Sequence, residues 1–149
     1  MPAVASLRPA QATAEPGDDD FAALRTAYRA SGGIARGDDL ARLLDEHHSG
    51  DFVSLAMSIL EGELFAFQWQ QTFWVPMFQF DLRDLSVKPN PNARRVLTEL
   101  AGEFDGWALA LWFAQPNHWL HGARPVDVLN ANLSEVLQAA RTDRFIAAG

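Results

Sequence analysis

Asp105-Gly-Trp-Ala-Leu-Ala-Leu-Trp-Phe-Ala-Gln-Pro-Asn-His-Trp-Leu-His-Gly-Ala-Arg-Pro-Val-Asp-Val-Leu129 holds three of the chain's five tryptophans, Trp107, Trp112 and Trp119. Asp105 is suited to cap a helix on which Trp107, Leu111 and Ala114 share one stripe, with Ala108 and Trp112 beside it. Pro116 ends that helix, because it supplies no N–H and its ring blocks the next turn. Asn117 then caps a single turn holding Trp119 and Leu120, closed by Gly122, and Pro125 opens another short helix with Val128 and Leu129. The spacing predicts several short helices packed at angles with large rings between them. Such a surface can seal a core, grip another protein, or do both. Trp107 and Trp112 are expected in the core. Trp119, flanked by His118 and His121, is the candidate anchor for a partner.

Outward from this stretch, Ser134 is expected to cap a last helix carrying Val136, Leu137 and Ala140, then Arg141, Asp143 and Arg144. Its end, Phe145 to Gly149, has little polar surface and must pack on something. Upstream, Asn90 and Pro91 signal the start of a helix with Val96, Leu97 and Leu100 that stops near Gly102. Leu64–Trp69 and Phe73–Phe80 are aromatic-rich runs joined by the polar Gln70-Gln71-Thr72, a β-hairpin signal, with Pro76 implying a bulge or an edge strand. Before them come three helices. The first carries Phe21, Leu24, Ala27 and Tyr28 and stops at Gly32-Gly33. The second carries Leu40, Leu43 and Leu44, stops at Gly50, and has His47-His48 near its end, where the helix dipole favours positive charge. The third sends Phe52, Leu55, Ala56, Ile59 and Leu60 toward the core. Residues 1–20 read as a flexible tail, 21–82 as helix-turn-helix-like helices plus a β-hairpin, and 83–149 as a helical module. The expected fold is mainly α with one β-hairpin, winged-helix-like in its N-terminal part and all-helical thereafter.

The 149 residues are 48% hydrophobic and 21% charged, which suits one domain with a respectable core. A net charge of −7 opposes binding to polyanions. The chain has no cysteine, which excludes disulfides, zinc fingers and thiol catalysis. No signal-peptide pattern and no membrane-length apolar run is present, so a cytoplasmic location is expected.

Three helices followed by a hairpin is the order of a winged helix-turn-helix, so a DNA-binding transcriptional regulator is one reading. Yet no lysine or arginine lies between Arg42 and Arg83, the interval that holds the recognition helix and the wing. The outward positions of that helix would be Val53, Ser54, Ser58 and Glu61, which offer no cation to phosphate. His118 and His121, with Asp127 near in sequence, are the one spacing suggestive of a metal. No nucleophile elbow, phosphate-binding glycine loop or paired-carboxylate motif occurs, so neither catalysis nor a cofactor is expected. Homodimerisation through exposed hairpin aromatics such as Phe73 and Trp74 is a further expectation.

Several of these residues carry a resemblance. Trp107-x-x-Ala110 running into Trp112-Phe113, then Pro116-Asn-x-Trp-Leu-x-Gly122, Arg124-Pro-Val-Asp-x-Leu129 and Val136-Leu-x-Ala-Ala-Arg141 resemble the toxin-binding domain of bacterial Xre/MbcA/ParS-type antitoxins. Phe78-Gln-Phe-Asp81 resembles a segment that precedes that domain, and the likeness spans roughly residues 34–149. It implies an all-helical module that binds a RES-domain toxin, an enzyme that destroys NAD, and covers the mouth of its active site. On this likeness the toxin-binding residues are Asn117, Trp119, Leu120, Gly122, Arg124, Pro125, Arg141, Arg144 and Phe145, with no cofactor and no antitoxin chemistry. Members that repress their own operon carry a basic helix-turn-helix, which this chain lacks.

Overall fold

A computed structural model describes residues 16–81 and 88–149. The protein is mainly helical with a small three-stranded sheet. Residues 1–15 of the expected tail lie outside the described residues, as does the expected boundary at 82–83. Asp18–Asp20 form the first turn of helix α1 (Asp18–Tyr28), where carboxylates meet the positive end of the helix dipole. Strand β1 (Ile34–Arg36) leads into α2 (Gly37–Glu46), and α3 (Phe52–Leu60) follows. Asp51 caps α3 by accepting from the Ser54 N–H at 2.9 Å, while the Ser54 hydroxyl accepts from the Asp51 N–H at 2.7 Å.

Strands β2 (Phe67–Trp69) and β3 (Thr72–Pro76) make the hairpin, and β1 completes an antiparallel sheet in the order β1-β3-β2. The hairpin turn is two residues, Gln70 and Gln71, with φ of 52° and 63°. Both are left-handed, as the right-handed strand twist demands of so short a loop. The expected hairpin is present but is extended into a three-stranded sheet, and the edge-strand expectation at Pro76 is corrected. β1 is a third strand, and β3 is central; Pro76 is tolerated because it is the strand's last residue, opposite Ile34. Short strands β4 (Phe80–Asp81) and β5 (Lys88–Pro89) pair separately.

The C-terminal part holds α4 (Pro91–Leu100), α5 (Gly106–Ala114), a 3₁₀ turn (His118–Leu120), α6 (Pro125–Val128) and α7 (Leu133–Ala148). Asn90 caps α4 by accepting from the Asn92 N–H, and Asp105 caps α5 by accepting from the Ala108 N–H. α7 begins one residue before Ser134, so Ser134 lies inside its first turn and Asn132 occupies the cap position.

Packing explains the division of the core. The larger cluster gathers Phe21, Leu24 and Tyr28 with Phe65, Phe78, Val96, Phe113 and Val136 around α5. A smaller one holds Leu40, Leu44, Leu55, Val75, Met77 and Phe80. Of the third helix only Leu55 is fully buried; Phe52 and Leu60, expected inward, are 50% and 80% exposed. α3 packs on α2 and leaves Phe52, Val53, Met57 and Leu60 exposed among the described residues. Nor are Phe73 and Trp74 free. The Phe73 ring meets Phe52 edge-on at 5.9 Å and Trp74 meets Phe21 at 4.9 Å.

Gln79 joins the two parts. It is buried, its Oε1 accepts from the Phe65 N–H at 2.9 Å, and its Nε2 donates to the carbonyls of Phe65 and Pro76 at 2.9 and 3.1 Å. Its own carbonyl accepts from the Asn90 N–H ahead of α4. Gln79→Leu strands buried backbone groups of Phe65, and a loss of about 2–4 kcal/mol is expected. A lower urea midpoint at unchanged slope is the readout; an unchanged midpoint refutes the role.

Tyr28 is fully buried and donates its hydroxyl to the Ala110 carbonyl at 2.6 Å. Burial pushes that hydroxyl well above the ordinary tyrosine value of 10.0. Because the folded value is the higher one, the neutral phenol's stabilising contact is fully present below the unfolded value. It is lost as pH climbs from about 10 toward the folded value. Tyr28 is the only tyrosine. Phenolate absorbance should therefore rise well above pH 10 and together with alkaline unfolding, while Tyr28→Phe flattens the stability slope there. A phenolate midpoint near 10 in the folded protein would contradict this.

Candidate functional site

The turn after α5 is built around Asn117. Its N–H donates to the Ala123 carbonyl, and its carbonyl accepts from the N–H groups of Leu120 and Gly122. Its Oδ1 accepts from the Trp119 N–H at 2.8 Å, capping the 3₁₀ turn, and its Nδ2 donates to Asp143 Oδ2 at 3.2 Å. With both sets of groups satisfied, Asn117 is buried.

Asp143 is the centre of this end of the molecule. Beside the Asn117 amide, its carboxylate accepts from Trp112 Nε1 and Trp119 Nε1, both at 2.8 Å. Three neutral donors on one carboxylate make charge-assisted bonds that fix α7 to α5 and to the turn. Trp112 is buried while Trp119 is 48% exposed, so the same acid holds one ring in the core and one at the surface. From sequence, Asp143 reads only as a charged position on the last helix, with no partner assigned to it. The available signal was its place three residues after Ala140, on the stripe that buries Val136 and Ala140. An acid on an apolar stripe implies buried donors.

The sequence-derived residues separate into two groups. Leu120 and Pro125 are buried, so with Asn117 they support the surface from beneath. Gly122 takes a φ of 85° and closes the turn. Trp119, Arg124, Arg144 and Phe145 are exposed. Arg141 pairs with Glu99 of α4 at 3.2 Å and stays half exposed. Ile146 is also exposed and follows Asp143 by three residues, which sets it on the Trp119 side of α7. Phe145 follows Arg141 by four and lies on another side with it. Trp119 and Ile146 are thus exposed apolar side chains on the Asp143 side of α7, while Arg141 and Phe145 share a different face of that helix.

His118 meets the Trp119 ring edge-on at 5.2 Å, and His121 takes a left-handed φ of 58° behind the 3₁₀ turn. Among the described residues, no group of three or more His, Cys, Asp or Glu side chains is placed to hold a metal ion, so His118, His121 and Asp127 are not assembled into a ligand set. Among the same residues no helix is long and apolar enough to cross a membrane. A cleft of about 420 Å³ between α1 and α5 is lined by Leu24, Ala27, Trp107 and Leu111, with Asp20 and Arg124 also contributing to its wall. No family model, curated protein or solved structure matches the chain.

Removing the Asp143 carboxylate tests its role. Asp143→Ala orphans the buried Trp112 indole N–H and frees Trp119, and a loss of about 2–3 kcal/mol is expected with red-shifted tryptophan emission. Trp119→Phe, which leaves Trp112 and Asn117 bonded, should cost under about 1 kcal/mol. Equal losses in the two variants would show that Asp143 serves Trp119 alone.

Proposed function

We propose that the protein is an antitoxin-like binding module that blocks a RES-domain, NAD-degrading toxin by covering its active site. The observation that carries this reading is the Trp119 ring, half exposed yet held by Asp143 at 2.8 Å. A ring already fixed in place loses little conformational freedom on binding, which is the property of a hot-spot anchor. From Pro116 onward the chain carries three arginines (Arg124, Arg141, Arg144) against three acids (Asp127, Glu135, Asp143). That end is therefore neutral in a chain of net charge −7, and the exposed Arg124 and Arg144 can meet a polar or acidic pocket rim. The likeness of this run to Xre/MbcA/ParS-type antitoxins supplies the partner class.

In this proposal the N-terminal part is a winged helix. The order α1-β1-α2-α3-β2-β3, with β1 against β3, supports that assignment. The same order favours DNA binding as the second reading. Against it, α3 and the hairpin carry no lysine or arginine, and phosphate contacts supply most nucleic-acid affinity.

Co-expression with a RES-domain enzyme should preserve cellular NAD and yield a co-purifying complex. Trp119→Ala should weaken that complex by about thirtyfold or more. Unchanged NAD loss with no complex overturns the proposal. Tight operator binding with a steep salt dependence would instead establish the regulator.

A further inference from the structure

α3 turns an uncharged face outward. From Phe52 to Leu60 it has no charged residue. Val53, Met57 and Leu60 recur at the i, i+4, i+7 spacing of one helical stripe and are 66%, 46% and 80% exposed, with Phe52 beside them at 50%. The Phe52 ring continues the patch onto Phe73 of the hairpin. At these exposures the four side chains leave on the order of 400 Å² of apolar surface, within the size range of the largest patch on an ordinary monomer, which often marks a binding site.

The frame of this patch is acidic. Asp51 and Glu61 stand at the two ends of α3, and Asp45 and Glu46 end α2 just before it; all four are exposed. Among the described residues none of the four is in an ion pair. Glu63 is the exception nearby, paired with Arg94 at 3.4 Å. His47 and His48 lie in the turn that connects α2 to α3.

We propose that α3 is a second docking surface, taking an amphipathic helix of another polypeptide whose apolar stripe is edged by lysine or arginine. Such a helix buries its stripe on Val53, Met57 and Leu60 while its cations meet Glu46, Asp51 and Glu61. A second copy of this chain fits worse. Packed antiparallel on itself, α3 brings Asp51 of one copy to Glu61 of the other; packed parallel, it brings like acid to like acid. Either arrangement sets negative charge against negative charge at a desolvating interface.

The test uses the full chain and two labelled synthetic helices that share a leucine stripe, one edged by lysine and the other by glutamate, followed by fluorescence anisotropy. The lysine-edged peptide should bind at least tenfold tighter than the glutamate-edged one. Leu60→Ser and Met57→Ser should each weaken it at least fivefold, and Glu46→Gln with Glu61→Gln at least threefold at low salt. Phe145→Ser, at the other candidate surface, should leave its affinity unchanged. Leu60 and Met57 lie outside the core, so circular dichroism and thermal melting should match the parent. Equal affinity for both peptides, or indifference to Leu60→Ser, overturns the proposal. So does a concentration-dependent dimer in sedimentation that Leu60→Ser dissolves, which would assign the face to a second copy. None of these outcomes depends on the RES-toxin reading.

Discussion

α5 is enclosed by the rest of the molecule. Its nine residues include no charge, and most of their side chains are buried. A helix in that position must receive an apolar neighbour on nearly every side, and each buried polar group nearby must find a partner. α1 covers one side and donates the Tyr28 hydroxyl to Ala110. β2 covers another, so closely that a Cβ on Gly106 would collide with the Ala66 carbonyl oxygen. Phe65 stacks on Phe113 at 5.7 Å, and Trp107 meets Phe67 edge-on at 5.4 Å. On the remaining side α6 and α7 close over it. Both the N-terminal and C-terminal parts therefore contribute to the larger core cluster.

The Asp143 cluster follows from the same enclosure. Trp112 has to bury its ring beside Phe113, and its indole N–H then needs an acceptor inside the structure. Once a carboxylate is there, it has capacity for more than one donor, and Asn117 and Trp119 take it up. A demand of the core thereby sets the orientation of a surface ring.

Much of this was legible in the sequence. Asn90, Asp105 and Asn117 cap what their residue types predict, because capping is a local bond between a side chain and an N–H two or three positions on. Pro116 and Gly122 mark real chain reversals for equally local reasons. The missed features are non-local. Ile34–Arg36 is too short to show alternation, and it is a strand only because β3 offers it a partner. Phe52 and Leu60 have the composition of core residues, and composition cannot tell whether a neighbour exists to cover them. Gln79 reads as one polar residue between phenylalanines; its bonds to Phe65 depend on the hairpin bringing the two segments together. Asp143 could have been suspected from its stripe, but its donors lie 24 to 31 positions away.

The hairpin tip is strapped down. Trp69 stacks on Phe21 at 3.9 Å with parallel rings and donates its indole N–H to the Pro16 carbonyl, while Gln70 Nε2 reaches Asp18 at 3.4 Å. A hairpin meant to probe a groove needs a free tip, and this tip is spent on α1. The strap ties the hairpin to α1, whose Phe21, Leu24 and Tyr28 belong to the same core cluster as Phe113 and Leu120. If both proposed docking surfaces are occupied, their ligands would be held at a set spacing and angle rather than joined by a free tether.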